Sequence, residues 1–382
     1  MGMTKLRADF SIVTPLLMGG ADPQSAELRV SGMKGMLRFW WRALAWSRLK
    51  SVDQVRSEEA KIFGSTEEGQ SSVKIRLLPP KKTVTIKKKS VLSYNDGTDA
   101  GEGSIYLGYG LIEANGELNR RCLGYPIEDG ALELSFLPST PEDNIKSVEA
   151  ALLAMGFFGG LGSRSRKGYG SFNLKKLTRD DETDPVFISP SDKDGLKRAI
   201  LNLFDPEGRY KILRYDGLPP YTAFSKMMRI DILDTSDEPL RLLNSIGDKM
   251  MEYRSYRKEK NFLYDYKLIK DALAGNVIYN HPKRSIFGLP HNYYFSSTHE
   301  SAKVKPKDHE RRASPLFIHI QRMNESQFAA ITAIIPADFL PHGEKIMVGD
   351  SPVDVDVNGY KVLHEFIDGR DTPRFASLVR VI

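Results

Sequence analysis

Two stretches of this 382-residue chain combine residue types that bind phosphate. The first, Gly159-Gly160-Leu161-Gly162-Ser163-Arg164-Ser165-Arg166-Lys167-Gly168-Tyr169-Gly170, sets five glycines around three cations. Glycines let a backbone come close to a ligand and present its amides, and Arg164, Arg166 and Lys167 supply positive charge. No Gly-Lys-Ser/Thr closes the segment, so it is not a P-loop, and it sits between a helix and a following strand, the reverse of a dinucleotide-binding turn. With no carboxylate close by in sequence to hold magnesium, nucleotide hydrolysis is not expected. The plain alternative is a flexible surface loop.

The second stretch is Ser31-Gly-Met-Lys-Gly-Met-Leu-Arg-Phe-Trp-Trp-Arg-Ala-Leu44. On a helix, Met33, Leu37, Trp40 and Leu44 share one face, which is the expected core side. Lys34, Arg38, Trp41, Arg42 and Arg48 share another, within about 120° of arc. The cations suit phosphates, and the Trp41 indole offers a stacking surface for a base. The competing reading is an amphipathic helix whose cations are solvated or paired with acids. A third mixed stretch, Tyr253-Arg254-Ser255-Tyr256-Arg257-Lys258, interleaves aromatics and cations, and i,i+4 charge pairs on a surface helix explain it equally well.

Other chemistries find less support. The single cysteine, Cys122, excludes an internal disulfide and a thiolate metal cluster. All seven histidines (281, 291, 299, 309, 319, 342 and 364) lie in the second half, away in sequence from the basic motifs. His319 falls in an apolar strand and reads as structural. No catalytic residue, metal ligand or cofactor site is expected.

Lysine plus arginine number 55 against 49 acids, a net charge of +6, and the isoelectric point is near 9.0. The charge is patched: residues 1 to 50 hold eight Lys/Arg and three acids, and residues 159 to 179 hold six and none. Lysines 81, 82, 87, 88 and 89 form another run, while 180 to 195 holds six acids and one lysine. Patching of this kind suits a polyanion. The longest weakly polar run, Ala150 to Gly162, is too short and glycine-broken to cross a bilayer, and no membrane partner is expected. The N-terminus lacks the apolar stretch of a signal peptide, which makes a cytoplasmic location the expectation.

The expected elements are a strand over Lys5–Ile12, a helix over 33–49 capped by Ser31, and strands over 72–78 and 104–113. A helix follows, with Thr140 as its cap and Pro141 first, and then a strand over 169–177. Strand, helix, strand, strand, helix, strand is the ferredoxin-like order. Beyond the acidic linker at 180–195 the pattern restarts, with a strand over 224–233, helix over 240–273, strands at 316–321 and 328–335 and a helix at 359–366. Ile62-Phe63-Gly64 and Ile286-Phe287-Gly288 recur at matching places, a slender sign of duplication. The fold class is therefore α+β, two ferredoxin-like (RRM-like) domains with insertions, spanning 1–184 and 185–382.

A glycine-rich basic loop between the second helix and last strand of such a domain resembles the hallmark of the RAMP superfamily, RNA-binding proteins of CRISPR systems. Lys34-Gly-Met-Leu-Arg-Phe-Trp-Trp-Arg42, with Glu310-Arg311-Arg312-Ala313-Ser314-Pro315, is similar to the first-named RAMP subunit family of the type III-B effector, the Cmr complex. That resemblance implies a non-catalytic subunit near the 3′ end of the crRNA, beside other RAMP subunits, that helps capture target single-stranded RNA. It implies RNA contacts from Lys34, Arg38, Trp41, Arg42, Gly160, Gly162, Arg164, Arg166, Lys167, Gly168, Arg311 and Arg312. With about five phosphates neutralised, the log–log salt slope on single-stranded RNA is expected near −3.5, and losing Arg38 and Arg42 flattens it by about one to two. The rivals are a metal-independent RAMP endoribonuclease processing precursor crRNA, using histidine as acid or base, and a scaffold whose basic faces meet acidic neighbours.

Overall fold

The computed structural model describes residues 2–20, 22, 25–80, 83–94, 102–113, 116–212, 215–255, 259–356, 359–370 and 372–382. Lys81, Lys82, Tyr256, Arg257 and Lys258 fall outside these residues, as do the side chains of Lys87, Lys88 and Lys89.

The first half runs β1 (Lys5–Ile12), α1 (Val30–Leu49), α2 (Val52–Phe63), β2 (Val73–Leu78), β3 (Thr85–Lys88), α3 (Glu102–Leu107), β4 (Glu117–Leu123), β5 (Ile127–Phe136), α4 (Glu142–Phe158) and β6 (Phe172–Arg179). Then come β7 (Phe187–Ile188) and α5 (Lys193–Leu203). The main sheet has the order β2-β5-β1-β6-β7, antiparallel throughout. Without the short β7 this is the ferredoxin-like arrangement, with β3, α3 and β4 inserted between its second and third strands. Alternation in β1 makes it a central strand: Leu6, Ala8 and Phe10 are buried while Lys5 and Arg7 are exposed. Gly130 lies opposite Phe10, and a Cβ there would run into the phenyl ring.

The second half runs β8 (Arg229–Ser236), α6 (Pro239–Arg254), α7 (Leu263–Leu273), β9 (His291–Phe295), β10 (Glu300–Pro306), β11 (Leu316–Asn324), β12 (Gln327–Ile334), β13 (Ile346–Val348), β14 (Ser351–Val353), α8 (Lys361–Asp368) and β15 (Val379–Arg380). Its sheet order, β11-β12-β8-β15, repeats the first half's β2-β5-β1-β6 strand for strand. β9, β10, β13 and β14 are insertions that form their own sheet.

The Ile-Phe-Gly recurrence marks equivalent turns. Gly64 and Gly288 both take positive φ, +79° and +117°, as glycine alone does cheaply. Ser65 bridges Gly69 in one half and Leu289 bridges Arg312 in the other. Ser71 Oγ then accepts from Val73 N at 3.3 Å, and Ser314 Oγ accepts from Leu316 N at 3.2 Å. Arg311 and Arg312 therefore sit on the second copy of a turn that carries no arginine in the first.

Several sequence expectations change. Ser104–Glu113 was expected to be a strand, but Glu102–Leu107 is helical and lies against α6, with Gly103 meeting Gly247 backbone to backbone. The third strand of the first domain is β5 instead, whose Leu132, Leu134 and Phe136 point inward. Ser31 does not cap α1; the helix starts at Val30, with Arg29 in the cap position and no side-chain bond. Thr140 does not cap α4 either, and its buried Oγ1 has no partner. The region 240–273 is two helices rather than one. The first sheet also continues past residue 184, because β7 pairs with β6.

The halves share a core. α4 packs on α1 and also on β11 and β12, which explains why it is apolar on nearly every side. Trp40 of α1 is fully buried, 5.8 Å from Phe224 and 5.4 Å from Phe317 of the second half. Such ring pairs add about 0.5–1.5 kcal/mol each beyond their buried area. The Gly103–Gly247 contact gives a test of this docking. Gly247→Ala puts a methyl against the Gly103 carbonyl and is expected to cost about 3 kcal/mol, the upper end for overpacking. A urea midpoint unchanged from the wild type would contradict the close approach of α3 and α6.

Candidate nucleic-acid interface

The glycine-rich loop follows α4 and lies between the two halves rather than over open solvent. The loop and the two side chains that follow it bond β11: Ile318 N donates to Arg166 O at 3.0 Å, Ile320 N to Ser171 Oγ at 3.1 Å, and Asn173 Nδ2 to Ile320 O at 2.9 Å. Of the glycines, Gly168 serves this seam, while Gly160 and Gly162 pack within the first half. A Cβ at Gly160 would meet Tyr169 O, at Gly162 the Leu17 carbonyl, and at Gly168 the side chains of Leu243 and Ile318. Gly162 and Gly168 also have φ of +75° and +85°. Thus Gly160, Gly162 and Gly168, expected to let the backbone approach a ligand, instead let it approach other parts of the protein.

The loop cations stand at the edges of the seam and meet like charges from the second half. Arg164 is exposed and donates to Tyr109 O; burial and then the nearby Arg311 lower its pKa. Arg166 donates to Ser314 O at 2.6 Å and lies over Phe317 and Phe39, 4.5 and 5.5 Å from their ring centres. Burial, then Arg312, pushes its pKa down to about 10. Arg312 in turn donates to Asp338 O at 3.3 Å. Lys167 points further in. Its Nζ is closed to solvent and unpartnered, and burial, followed by Arg254, Arg164 and Arg166, pushes its pKa to about 7.

The α1 stripe looks different. Trp41 is 1% exposed, with Nε1 donating to Ser147 Oγ of α4 at 2.8 Å and its ring 6.2 Å from Phe63. It is a core residue, and the base-stacking role expected for it has no surface to act through. Arg38 and Arg42 both donate to Glu59 Oε1 of α2, each at 2.6 Å. Lys34 donates to Phe63 O at 2.8 Å, and burial, then Arg38, lowers its pKa. Arg48 is exposed near the C-terminus of the helix. One carboxylate thus offsets part of the stripe, and the remaining guanidinium N–H groups are what it has to offer a phosphate. Arg42 also reaches a cleft of roughly 390 Å³ that it lines with Phe39, Glu59, Tyr221, Arg312 and Phe339. The stripe and the Arg311–Arg312 turn therefore meet.

The histidines are not all remote from the loop, as their sequence positions had suggested. His319 Nδ1 donates to Gly159 O at 2.8 Å, and burial takes its pKa to about 4, which fits the structural role expected of it. His291 lies beside Arg254, with 3.4 Å between Nε2 and Nη2, and within the field of Lys167. Sequence reasoning missed Arg254, Arg284 and His291 as parts of one basic surface. The Tyr253–Lys258 stretch was the available signal for the first of them. Among the described residues no group of three or more His, Cys, Asp or Glu could hold a metal, and no helix is long and apolar enough to cross a membrane.

The RAMP superfamily model matches residues 9–173, which include α1 and the glycine-rich loop. The CRISPR system Cmr subunit Cmr1-2 of Pyrococcus furiosus is 30% identical over 183 residues, 44% of this chain and 94% of that relative. This chain belongs to the RAMP superfamily. Subunit Cmr1-1 of the same organism is 24% identical over 337 residues, 87% of each chain. As a RAMP protein, the chain has the fold of the solved Cmr1 from Pyrococcus furiosus, with a TM-score of 0.61 at 18% identity over 100% of this chain and 99% of the other. A chain of a type III-B Cmr-beta complex bound to cognate target RNA matches with a TM-score of 0.54 at 13% identity, over 96% and 99%.

Proposed function

We propose that this chain is a non-catalytic RNA-binding subunit of a type III-B CRISPR effector complex, holding single-stranded crRNA or target RNA along the seam between its halves. The observation that carries this reading is the meeting of like charges across the seam. Arg164 and Arg166 from one half face Arg311 and Arg312 from the other, an arrangement that an anionic strand stabilises and that folding alone does not favour. The two domains, divided in the acidic stretch after residue 180, share a core and so offer the strand one fixed surface, and sequence choice is left to base pairing with the guide. Two histidines are committed to the fold: His281 Nδ1 donates to Pro282 O at 2.9 Å while its Nε2 accepts from Asp356 N at 3.0 Å, and His319 Nδ1 donates to Gly159 O at 2.8 Å.

Photo-crosslinking with single-stranded RNA containing 4-thiouridine, followed by peptide mapping, tests the location. Crosslinks within 159–170 and 310–318 are the expected result. Crosslinks confined to other segments contradict the seam, and their absence together with failed complex assembly on mutating Arg164 favours a scaffold.

A further inference from the structure

Beneath the seam, three cations and a histidine converge with too little negative charge beside them to balance them. Lys167 comes from the glycine-rich loop, Arg254 from the last turn of α6, Arg284 from the turn before β9, and His291 from the start of β9. Lys167 Nζ, Arg254 Nε, Arg284 Nε, His291 Nδ1 and the hydroxyl of Tyr293 are all closed to solvent without a hydrogen-bond partner. Arg254 lies over Tyr106 and Phe287, at 5.9 and 5.2 Å, and Arg284 lies over Tyr293 at 5.6 Å. Aromatic faces compensate buried guanidinium groups only in part. Asp265 accepts from the backbone N–H groups of Lys283 and Arg284, each at 2.9 Å, and lies within the field of Arg284, so its single carboxylate offsets only part of the positive charge. Burial, then Arg254, Arg284 and Lys167, holds the His291 imidazole well below its ordinary pKa.

Buried charge that is only partly countered is costly, and unpartnered buried donors cost about 1–3 kcal/mol apiece. A cluster of five such groups, drawn from both halves, makes sense if an anion completes it. We propose that Lys167, Arg254, Arg284 and His291 form a nest for one phosphate group of a bound RNA strand, with the Tyr293 hydroxyl as a further donor. The inference rests on the RNA-binding reading above and deepens it. The exposed Arg164–Arg311 pair carries the strand across the seam, and the nest takes one phosphate inward from it. Arginine and lysine donors around a phosphate outcompete water through charge-assisted hydrogen bonds.

Lys167→Met removes the charge while keeping the stem. Its melting is compared with that of the wild type in chloride and in inorganic phosphate at equal ionic strength. RNA affinity is measured on twelve-nucleotide strands with either a 3′-hydroxyl or a 3′-phosphate. Phosphate is expected to raise the wild-type melting temperature by about 2–4 °C and to leave the variant unmoved. The variant, freed of an unpaired charge, is expected to melt no lower than the wild type in chloride. Its RNA Kd is expected to rise about tenfold. A 3′-phosphate preference lost in the variant assigns the nest to a strand end, whereas equal loss on both strands assigns it to an internal phosphodiester. Phosphate protection through Lys167 without RNA binding by the wild type keeps the nest and removes the RNA reading. Unchanged RNA affinity and unchanged phosphate protection in a folded variant overturn the nest. Should Lys167→Met fail to fold, Arg284→Met and the wild-type phosphate titration decide between the same outcomes.

Discussion

Replacing Arg164 and Arg311 together by alanine is expected to raise the Kd for single-stranded RNA about a hundredfold at low salt. A phosphate contact from an exposed guanidinium contributes about 1.4 kcal/mol, just under the range of about 1.5–3 for hydrogen bonds to charged groups, and two such losses make roughly two powers of ten. The log–log salt slope should fall in magnitude by about 1.4, since each single-strand phosphate contributes about 0.7. Stability should change little, because Arg164 and Arg311 are exposed and repel each other. Arg38→Ala with Arg42→Ala is expected to do the opposite. Both arginines bond Glu59 Oε1, so their loss strands a carboxylate whose side chain is 7% exposed and shows first as lower stability. The flattening of one to two slope units expected from sequence for Arg38 and Arg42 is, on this proposal, assigned to the Arg164–Arg311 pair. A double mutant with wild-type affinity and slope sinks this assignment.

Arg179→Met is expected to cost about 3–5 kcal/mol, the range for breaking a buried ion pair from one side. Arg179, at the end of β6, bonds Glu142 bidentately at 2.7 Å, Asp181 at 2.5 and 2.9 Å and Glu149 at 3.4 Å. Glu149 is wholly buried and keeps only Arg209 when Arg179 is gone, at 2.9 and 3.3 Å. The pH dependence follows from the signs. Arg179 holds the Glu142 and Asp181 carboxyls low, so their contribution is present above the ordinary carboxylate range and lost as pH falls below about 4. Burial raises the Glu149 pKa, so its contribution is greatest in acid and lost as pH rises through the raised value. Without Arg179 the first effect disappears and the second grows. The stability deficit of the variant should widen between pH 4 and pH 8 in urea titrations. A deficit that is constant with pH would mean that packing, not the carboxylate network, is what Arg179 supplies.

What sequence could show was local periodicity. β1 follows from alternation, β11 and β12 from short apolar runs and the core face of α1 from 3.6-residue spacing, and the repeated Ile-Phe-Gly turns followed from identity alone. Other features depended on partners distant in the chain. Trp41 shares a helical face with cations, but α4 closes over that face, with Ser147 106 residues away accepting its N–H. Glu59 neutralises part of the stripe from a neighbouring helix that gave no sign of doing so. Ile105 and Tyr106 favour strands by propensity, yet two glycines let their segment settle on α6 as a helix. The cation nest draws on Lys167, Arg254, Arg284 and His291, which span 125 positions in the numbering, and a one-dimensional reading had no reason to group them.

The central claim is that an RNA strand neutralises the cations at the seam and leaves uncut. End-labelled single-stranded RNA titrated with the purified chain in EDTA, across a salt series, tests it most directly on native and denaturing gels run in parallel. The account expects a shift that weakens with salt along a slope near −3.5, about five phosphates at roughly −0.7 each, with the RNA intact. Discrete cleavage, or a shift indifferent to salt, would contradict it.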